Sequence, residues 1–133
     1  MASPFVGKWK LSDSENFDEY MKVLGVGMAL RMAGKAATPE QEVTVDGDNY
    51  QFKTTTTFKT HDLKFTIGQE FDDETIDGRK VKSTVTKESD SKLVHVQQGE
   101  PSSTITREIV DGMYVMTLEA AGVKCVRKYK KTN

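Results

Sequence analysis

The sequence predicts an all-β fold in which antiparallel strands follow one another up and down and close into a barrel. From about residue 39 onward, short runs alternate polar and apolar residues, as half-buried strands do. Turn-forming residues separate these runs roughly every 8–12 residues, a spacing typical of all-β domains. Thr and Val are dense between the turns, as a pleated sheet prefers. A meander of about nine strands avoids exposed edges most simply by closing on itself.

Clusters of Gly, Asp and Ser mark the predicted boundaries between the strands. They lie at residues 46–48, 77–78, 88–91, 99–102 and 111–112, with a weaker break at 120–122. Such residues favour tight turns because they tolerate positive φ or hydrogen-bond to the local backbone. The pattern therefore indicates one continuous meander, with a single further strand ahead of it near the N-terminus.

Residues 16–36 interrupt the strand pattern and predict a helical hairpin. The first helix follows from apolar residues at helical spacing, namely Phe17, Tyr20, Met21 and Leu24. Asn16 is expected to cap this helix, and two acids follow in its first turn, where the helix dipole favours them. Residues 25–27 break the helix, and residues 28–35 are predicted to form a second short one.

Length, charge and cysteine content narrow the class of protein. The chain has 133 residues and a formal net charge of −1, which gives no sign of a nucleic-acid partner. Its one cysteine, Cys125, cannot form an internal disulfide and favours a reducing compartment. The N-terminal residues lack the apolar segment of a secretory signal, and no run is long enough to span a membrane. We expect a single domain over residues 1–133, monomeric and cytoplasmic.

The last predicted strand shows most clearly which residues face the interior. Lys124, Lys128 and Lys130 share one face of this strand and must meet water. Arg127 and Tyr129 lie on the opposite face and therefore point inward. The same alternation around residues 105–109 directs Arg107 inward as well. Arginine is almost never fully buried without a partner, although one near a barrel rim can reach solvent along its stem.

The remaining strands supply inward side chains that are neutral. By alternation they are Phe52, Thr54, His61, Leu63, Phe65, Ile67, Val81, Ser83, Val85, Leu93, His95 and Gln97. No carboxylate in this set neutralises the two arginines, and its polar members need hydrogen-bond partners. In a hollow barrel, water would supply the hydrogen-bond partners and a bound amphipathic anion would supply the negative charge. The two histidines are expected to be hydrogen-bonded cavity residues, since no third metal ligand stands at a recognised spacing.

Beyond these patterns, the chain resembles the intracellular fatty-acid-binding proteins along nearly its whole length. The similarity is carried by FVGKWKL and SENFDEYMKVLGVG near the N-terminus, TFKTHDLKFTIGQEFDDETIDGRKVKSTVT and KLVHVQ in the middle, and TREIVDG and CVRKYKK at the end. The resemblance implies a lipocalin/calycin-like barrel of ten antiparallel strands in two roughly orthogonal sheets. It also implies a helix-turn-helix lid over about residues 16–36 and an opposite end closed around Trp9.

The resemblance further implies which residues meet the ligand. The carboxylate-binding residues of the family fall on Arg107, Arg127 and Tyr129. Its portal falls on Phe17, Tyr20, Met21, Val26, Leu30, Phe58, Ile76 and Asp77. Its cavity walls include Pro39, Phe52, Thr54, Gln97, Ile105, Met116 and Leu118.

Non-covalent binding and intracellular transport of a long-chain fatty acid is the function that this resemblance implies, with no cofactor or metal. A retinoic-acid carrier of the same fold is the alternative, because such carriers use a similar carboxylate clamp. An enzyme would need a base beside an activated nucleophile. Cys125 lies near Arg127, which favours the thiolate, but its strand offers no base. Lys22, Arg31 and Lys35 on the helices are consistent with transient contact between the lid and a membrane.

Overall fold

The structure, a computed structural model, describes residues 3–57, 59–75 and 78–132. These residues form one strand, two helices and nine further strands, which is the predicted order. The elements are β1 (Gly7–Glu15), α1 (Phe17–Val23), α2 (Met28–Ala36), β2 (Glu40–Asp46), β3 (Asn49–Thr55), β4 (Thr60–Thr66), β5 (Phe71–Glu74), β6 (Lys80–Ser89), β7 (Lys92–Gln98), β8 (Ser103–Val110), β9 (Met113–Ala120) and β10 (Val123–Lys131).

The ten strands form one antiparallel sheet that curls into a nearly closed barrel. Their order is β4-β3-β2-β1-β10-β9-β8-β7-β6-β5, so every strand except those at the two ends pairs with two neighbours. Consecutive strands are neighbours except for β4 and β5, which lie at the two ends of the sheet, and the pairing of β1 with β10 links the two halves. The predicted fold class, a ten-stranded up-and-down barrel with a helical lid, is confirmed.

Side chains rather than strand pairing bridge the seam between β4 and β5. Within the described residues these two strands have no ladder of backbone hydrogen bonds. His61 Nε2 instead lies 2.7 Å from the carbonyl oxygen of Glu74. Phe65 of β4 stacks on Phe71 of β5, with ring centroids 6.1 Å apart and an interplanar angle of 15°. The seam is therefore filled, although no sheet hydrogen bonds cross it.

Strand β1 belongs to both halves of the barrel because it bends. Residues 7–10 pair with β2, and residues 9–15 pair with β10. The register of the second pairing shifts between Leu11 and Asp13. A bulge of this kind increases local twist and bends the strand. The bend lets one strand serve two differently directed halves of the sheet.

Two tight turns join the last three strands. Asp111 and Gly112 have φ values of 51° and 78°, and Ala121 and Gly122 have 48° and 80°. Positive φ at both central residues is the geometry of the type I′ turn, whose twist matches that of a hairpin. The break at residues 120–122 is thus as sharp as the Asp-Gly turn, even though Ala121 carries a side chain in the left-handed region.

Aromatic side chains fill one end of the barrel. Trp9 is 2% exposed and Phe5 is fully buried, and Trp9 Nε1 donates a hydrogen bond of 2.9 Å to the carbonyl oxygen of Phe5. Tyr114 packs edge-on against both rings, with centroid distances of 5.8 Å to Trp9 and 6.0 Å to Phe5. Because the indole N–H has a partner, the large ring is buried without an unsatisfied donor. This end is closed around Trp9, as the sequence resemblance implies.

Helix α1 packs on β9 and β10 at the other end. It buries Tyr20 and Met21, and the Tyr20 hydroxyl is hydrogen-bonded to the Ser103 hydroxyl of β8. The predicted cap is wrong: Asn16 has φ 66° and makes no side-chain bond to the helix. Its Nδ2 instead donates to the carbonyl oxygen of Lys124, at 3.0 Å, and so attaches the start of α1 to β10.

Helix α2 is attached mainly to α1 and buries none of its residues. Arg31 Nε lies 3.2 Å from Asp18 Oδ1 of α1, and its Nη1 donates to the carbonyl oxygen of Val26 at 2.8 Å. A Cβ on Gly34 would lie 3.1 Å from Met21 Sδ, so glycine permits the close approach of the two helices. Within the described residues, no helix is long and apolar enough to cross a membrane.

Candidate functional site

Between the helices and the aromatic end lies an internal cavity of ≈ 290 Å³. Each described residue that the resemblance assigned to the portal or walls borders it: Phe17, Tyr20, Met21, Val26, Leu30, Pro39, Phe52, Thr54, Gln97, Ile105, Met116 and Leu118. Phe58, Ile76 and Asp77 lie outside the described residues. The cavity wall is mostly apolar, and its buried charged members, Asp73, Arg107 and Arg127, lie on strands β5, β8 and β10. The roles of these residues in binding stay predictions.

The register of the last three strands places the two arginines beside each other. Arg107 of β8 and Arg127 of β10 both pair with Met116 of β9, one from each side. Opposed residues on neighbouring antiparallel strands point to the same face. Both guanidinium groups therefore project from one wall, two strands apart, and both are 5% exposed. The inward orientation deduced from the lysine alternation agrees with this burial.

Arg127 lies directly beneath the first helix. Its Cζ is 3.7 Å from the centroid of the Phe17 ring, and its Nη1 donates to Ser14 Oγ at 3.3 Å. A cation over an aromatic face is attracted by the ring quadrupole, more strongly where water is excluded. Within the described residues Arg127 makes no salt bridge. The positive charge of Arg127 is thus stabilised by the Phe17 ring and the Ser14 hydroxyl, and no carboxylate of the described residues neutralises it.

Arg107 lies deeper on the same wall and contacts a histidine. Its Nη1 donates to His95 Nδ1 at 2.8 Å, and its Cζ lies 5.2 Å from the centroid of the Phe52 ring. Its Nε is buried and has no hydrogen-bond partner. No carboxylate of the described chain lies within salt-bridge distance of Arg107. The guanidinium of Arg107 therefore still has a hydrogen-bond donor, its Nε–H, available for a ligand.

Tyr129 completes the group of three on the last strand. It is 2% exposed, and its ring stacks on Tyr114 with centroids 5.1 Å apart. Burial raises the pKa of Tyr129, partly offset by the charge of Arg127. The hydroxyl therefore keeps its proton at neutral pH and can donate a hydrogen bond to an anion.

One carboxylate does point inward, which corrects the expectation of a neutral interior around the arginines. Asp73 of β5 is 7% exposed and accepts a hydrogen bond of 2.8 Å from Ser83 Oγ. Its pKa is lowered: burial acts to raise it, but the nearby Nε2–H of His95 and the hydrogen bond from the Ser83 hydroxyl outweigh that effect. Two buried guanidinium groups and one buried carboxylate leave one net positive charge. A single bound anion would balance the interior.

His95 connects Arg107 to Asp73 and is neutral at pH 7. Burial, together with the charge of Arg107, lowers the pKa of His95 to about 4, although Asp73 acts in the opposite direction. Because Nδ1 accepts a hydrogen bond from Arg107, the proton of the neutral ring lies on Nε2, which is 3.5 Å from Asp73 Oδ2. His61, the other predicted cavity histidine, also borders the cavity.

Sequence reasoning assigned no site role to several residues that border the cavity. They are Gln41, Thr56, Lys59, Asp73, Thr75 and Arg79, together with Ala33, Gly34 and Ala37 near the helices. Alternation from Phe71, which is half-buried, was the available signal for Asp73, because residues two apart on a strand share a face. No comparable signal distinguishes Gln41, whose Oε1 is buried without a hydrogen-bond partner.

Cys125 is not an activated nucleophile. Burial raises the pKa of its thiol to about 11, although the charge of Arg127 acts in the opposite direction. Arg127 favours the thiolate, as the sequence indicated, but desolvation outweighs this effect. At neutral pH the side chain is a buried thiol. Among the described residues, no group of three or more His, Cys, Asp or Glu side chains is arranged to hold a metal ion.

A closed end, a lidded end, an apolar cavity and a cationic wall together define a small β-barrel binding protein. The chain belongs to the lipocalin / cytosolic fatty-acid binding protein family, whose model matches residues 6–132. This agrees with the family indicated by the sequence motifs. Several relatives are named as fatty acid-binding proteins or as a fatty acid transporter.

Two relatives and one solved structure show how near the similarity is. The chain is 50% identical over 133 residues to sodium/calcium exchanger regulatory protein 1 of Doryteuthis pealeii, covering 100% of both chains. It is 46% identical to fatty acid-binding protein 5 of Pygoscelis papua, covering 96% of each. The fatty acid binding protein of Schistosoma mansoni, solved in complex with arachidonic acid, is 42% identical, with a TM-score of 0.95 over 98% of each chain.

Proposed function

We propose that this protein binds one long-chain fatty acid inside the barrel and carries it through the cytoplasm, without catalysis. The acyl chain occupies the apolar part of the cavity. Arg107, Arg127 and Tyr129 hold the carboxylate. The observation that carries the proposal is the single uncompensated positive charge buried in a mostly apolar cavity. The names of the relatives, which refer to fatty acid binding and to a bound arachidonic acid, support the same ligand class.

Energetics explain why both ends of such a ligand matter. Burial of about 14–16 methylenes contributes roughly 11–13 kcal/mol at about 0.8 kcal/mol each. Association costs about 4–15 kcal/mol in lost freedom, so the chain alone leaves a modest affinity. Charge-assisted hydrogen bonds prevent the carboxylate from being buried unpaired. Micromolar to nanomolar binding, about −8 to −12 kcal/mol, therefore requires the head-group hydrogen bonds in addition to the buried chain.

The direct test is to identify what the purified protein holds. Native mass spectrometry followed by solvent extraction should recover fatty acid at near one molecule per chain. Titration of the delipidated protein with oleate should then show saturable binding. Competition between oleate and retinoic acid separates the proposal from the retinoid alternative, which predicts tighter retinoic acid binding. A protein that is isolated empty and ignores added oleate would contradict the proposal.

The two helices should act as a lid whose removal leaves the barrel folded. Replacing residues 16–36 by a short linker removes no strand, and the sheet pairing does not pass through the helices. We expect β-rich circular dichroism and a cooperative melt at a lower Tm, because Tyr20 and Met21 no longer cover the core. Exchange of a fluorescent fatty acid should become faster. An unfolded deletion variant would mean that α1 is part of the core.

Exposed apolar residues on α2 should promote transfer of ligand to membranes. Met28 and Met32 are 67% and 63% exposed and lie one helical turn apart. Lys22 and Lys35 lie nearby on the hairpin, and each basic residue near an anionic surface is worth about 1 kcal/mol. Arg31 is less available than its sequence position implies, since its side chain is 17% exposed and bonded to Asp18.

The test is the rate at which a fluorescent fatty acid moves from protein to anionic vesicles. The double variant Met28→Ser/Met32→Ser should slow transfer severalfold, and Lys22→Gln/Lys35→Gln should reduce its salt dependence. Val110→Ser is the matched control, because Val110 is 42% exposed but lies on β8 away from the helices. Equal rates in all variants, independent of vesicle concentration, would favour diffusion of the free ligand through water.

A further inference from the structure

A second polar cluster lies in the cavity wall, on β5, β6 and β7. We call Asp73, Ser83, His95 and Gln97 the Asp73 cluster, and all four are buried, at 7%, 0%, 1% and 6% exposed. Ser83 Oγ donates to Asp73 Oδ2 at 2.8 Å, and Gln97 Nε2 donates to the same oxygen at 3.5 Å. His95 Nε2 lies 3.5 Å from that oxygen too. Three donors therefore converge on one carboxylate oxygen.

This convergence leaves other polar atoms of the cluster without partners. Gln97 Oε1 is buried and accepts no hydrogen bond. Asp73 Oδ1 also has no hydrogen-bond partner among the described residues. His95 Nε2–H is a donor whose alignment with Asp73 is too poor for a hydrogen bond. The cluster thus offers two acceptors and one donor, and Asp73, His95 and Gln97 all border the cavity.

Of the groups that an acyl chain can carry, a hydroxyl satisfies the most of these atoms, namely one of the two acceptors and the donor. A hydroxyl donates one hydrogen bond and accepts up to two, so it can donate to Asp73 Oδ1 or Gln97 Oε1 while it accepts from His95 Nε2–H. A ketone only accepts and leaves both oxygens unsatisfied, and a methylene satisfies none of the three atoms. A second carboxylate would meet the negative charge of Asp73. Buried polar groups left without partners are costly, so the site discriminates among these groups.

We infer that the Asp73 cluster binds a hydroxyl carried partway along the acyl chain, so that the cavity accepts hydroxylated long-chain fatty acids. The inference rests on the proposed function, since it takes the ligand to be a fatty acid. The hydroxyl site differs from the carboxylate site: the imidazole of His95 separates them, with Arg107 Nη1 2.8 Å from Nδ1 and Asp73 Oδ2 3.5 Å from Nε2. A ligand with a carboxylate at one end and a hydroxyl farther along fits both.

Oleic acid and ricinoleic acid form the matched pair of probes, because they differ by one mid-chain hydroxyl. The delipidated protein is titrated with each by calorimetry, and the ratio of the two Kd values is compared between variants. Wild type should bind ricinoleate at least as tightly as oleate. Gln97→Met, which keeps the size of the side chain but removes its polar atoms, should shift the ratio against ricinoleate by roughly tenfold. Asp73→Asn, measured in parallel, should shift it in the same direction.

Gln41→Met is the matched control, because Gln41 is also a buried glutamine with an unpaired Oε1 but lies on β2, beside Met116. It should change both affinities by the same factor and leave the ratio as in wild type. A second readout is the Nε2 resonance of His95, which should shift further with ricinoleate than with oleate, because the carboxylate common to both ligands reaches His95 only through Arg107 and Nδ1.

The outcomes separate the two proposals. If wild type does not bind oleate, the proposed function fails. If wild type binds oleate but rejects ricinoleate by more than about tenfold, the inference is overturned, because an unsatisfied hydroxyl is excluded on that scale. If wild type, Gln97→Met and Asp73→Asn share one ratio, the Asp73 cluster holds only water and the inference is overturned as well.

Discussion

Arg127→Gln should weaken fatty-acid binding by about 1.5–3 kcal/mol, which is roughly ten- to hundredfold in Kd. The reason is that Arg127 is buried with no salt bridge among the described residues, so a ligand carboxylate would be its charged partner. The methyl ester of the same acid carries no charge and should lose little affinity. Arg107→Gln should cost less, because one of its nitrogens is already bonded to His95. Titration of acid and ester against each variant provides the comparison.

Lys128→Gln is the control for this experiment, since Lys128 lies next to Arg127 on β10 but on the exposed face. It removes one positive charge from the same strand and should leave both affinities unchanged. Arg127→Gln should also raise the Tm of the empty protein, because a poorly compensated buried cation is removed. Equal losses for acid and ester would mean that Arg127 shapes the cavity rather than binding the carboxylate. No loss for either would mean that Arg127 lies outside the head-group site.

The free energy of unfolding should fall by about 3 kcal/mol as the pH drops from 6.5 to 4, because of His95. The ordinary pKa of histidine is 6.5, and burial lowers the pKa of His95 to about 4. Between these values the unfolded chain binds a proton that the folded protein does not, so acid favours unfolding. Below pH 4 the folded protein is protonated too, and this contribution stops growing. Chemical denaturation at a series of pH values measures the slope.

His95→Gln should abolish this part of the pH dependence while preserving the local hydrogen bonds. Its amide oxygen can accept from Arg107, and its amide nitrogen can donate toward Asp73. The lowered pKa of Asp73 adds a separate loss, which occurs only as the pH falls below the ordinary value of 3.8. The pH range of the His95 effect and the pH range of the Asp73 effect are therefore distinguishable. Parallel slopes for wild type and His95→Gln between pH 6.5 and 4 would assign the effect to another group.

The barrel and the inward direction of its two arginines could be predicted from the sequence, because both follow from patterns that repeat along the chain. Lys124, Lys128 and Lys130 fix the outer face of β10, and a period of two then directs Arg127 inward. The turns could be predicted in the same way, because Asp and Gly tolerate the positive φ that a tight hairpin turn requires. Side-chain alternation and turn chemistry are local properties, and the fold of a meander is built almost entirely from local connections.

The features that sequence reasoning missed depend on contacts between distant segments. Asn16 stands where a helix cap is expected, but its side chain bonds to Lys124, 108 residues away. Asp73 lies among three consecutive acids in a four-residue strand, and nothing local distinguishes the inward one except its distance from Phe71. The link from Arg107 through His95 to Asp73 joins three strands. Such a network becomes visible only when the sheet register is known.

The seam between β4 and β5 is the place where the circumference of the barrel can change most easily. Between any other two neighbouring strands, widening the barrel would stretch or break a ladder of backbone hydrogen bonds. At the seam a wider barrel needs only that aromatic rings slide and that the contact of His61 with the Glu74 carbonyl lengthens. Tyr50, Phe65 and Phe71 lie in nearly parallel stacks, with interplanar angles of 4° and 15° between successive rings. Each such pair is worth about 0.5–1.5 kcal/mol and tolerates offset. Among the described residues, the β4–β5 seam is therefore the place where the barrel wall could widen without breaking a ladder of backbone hydrogen bonds.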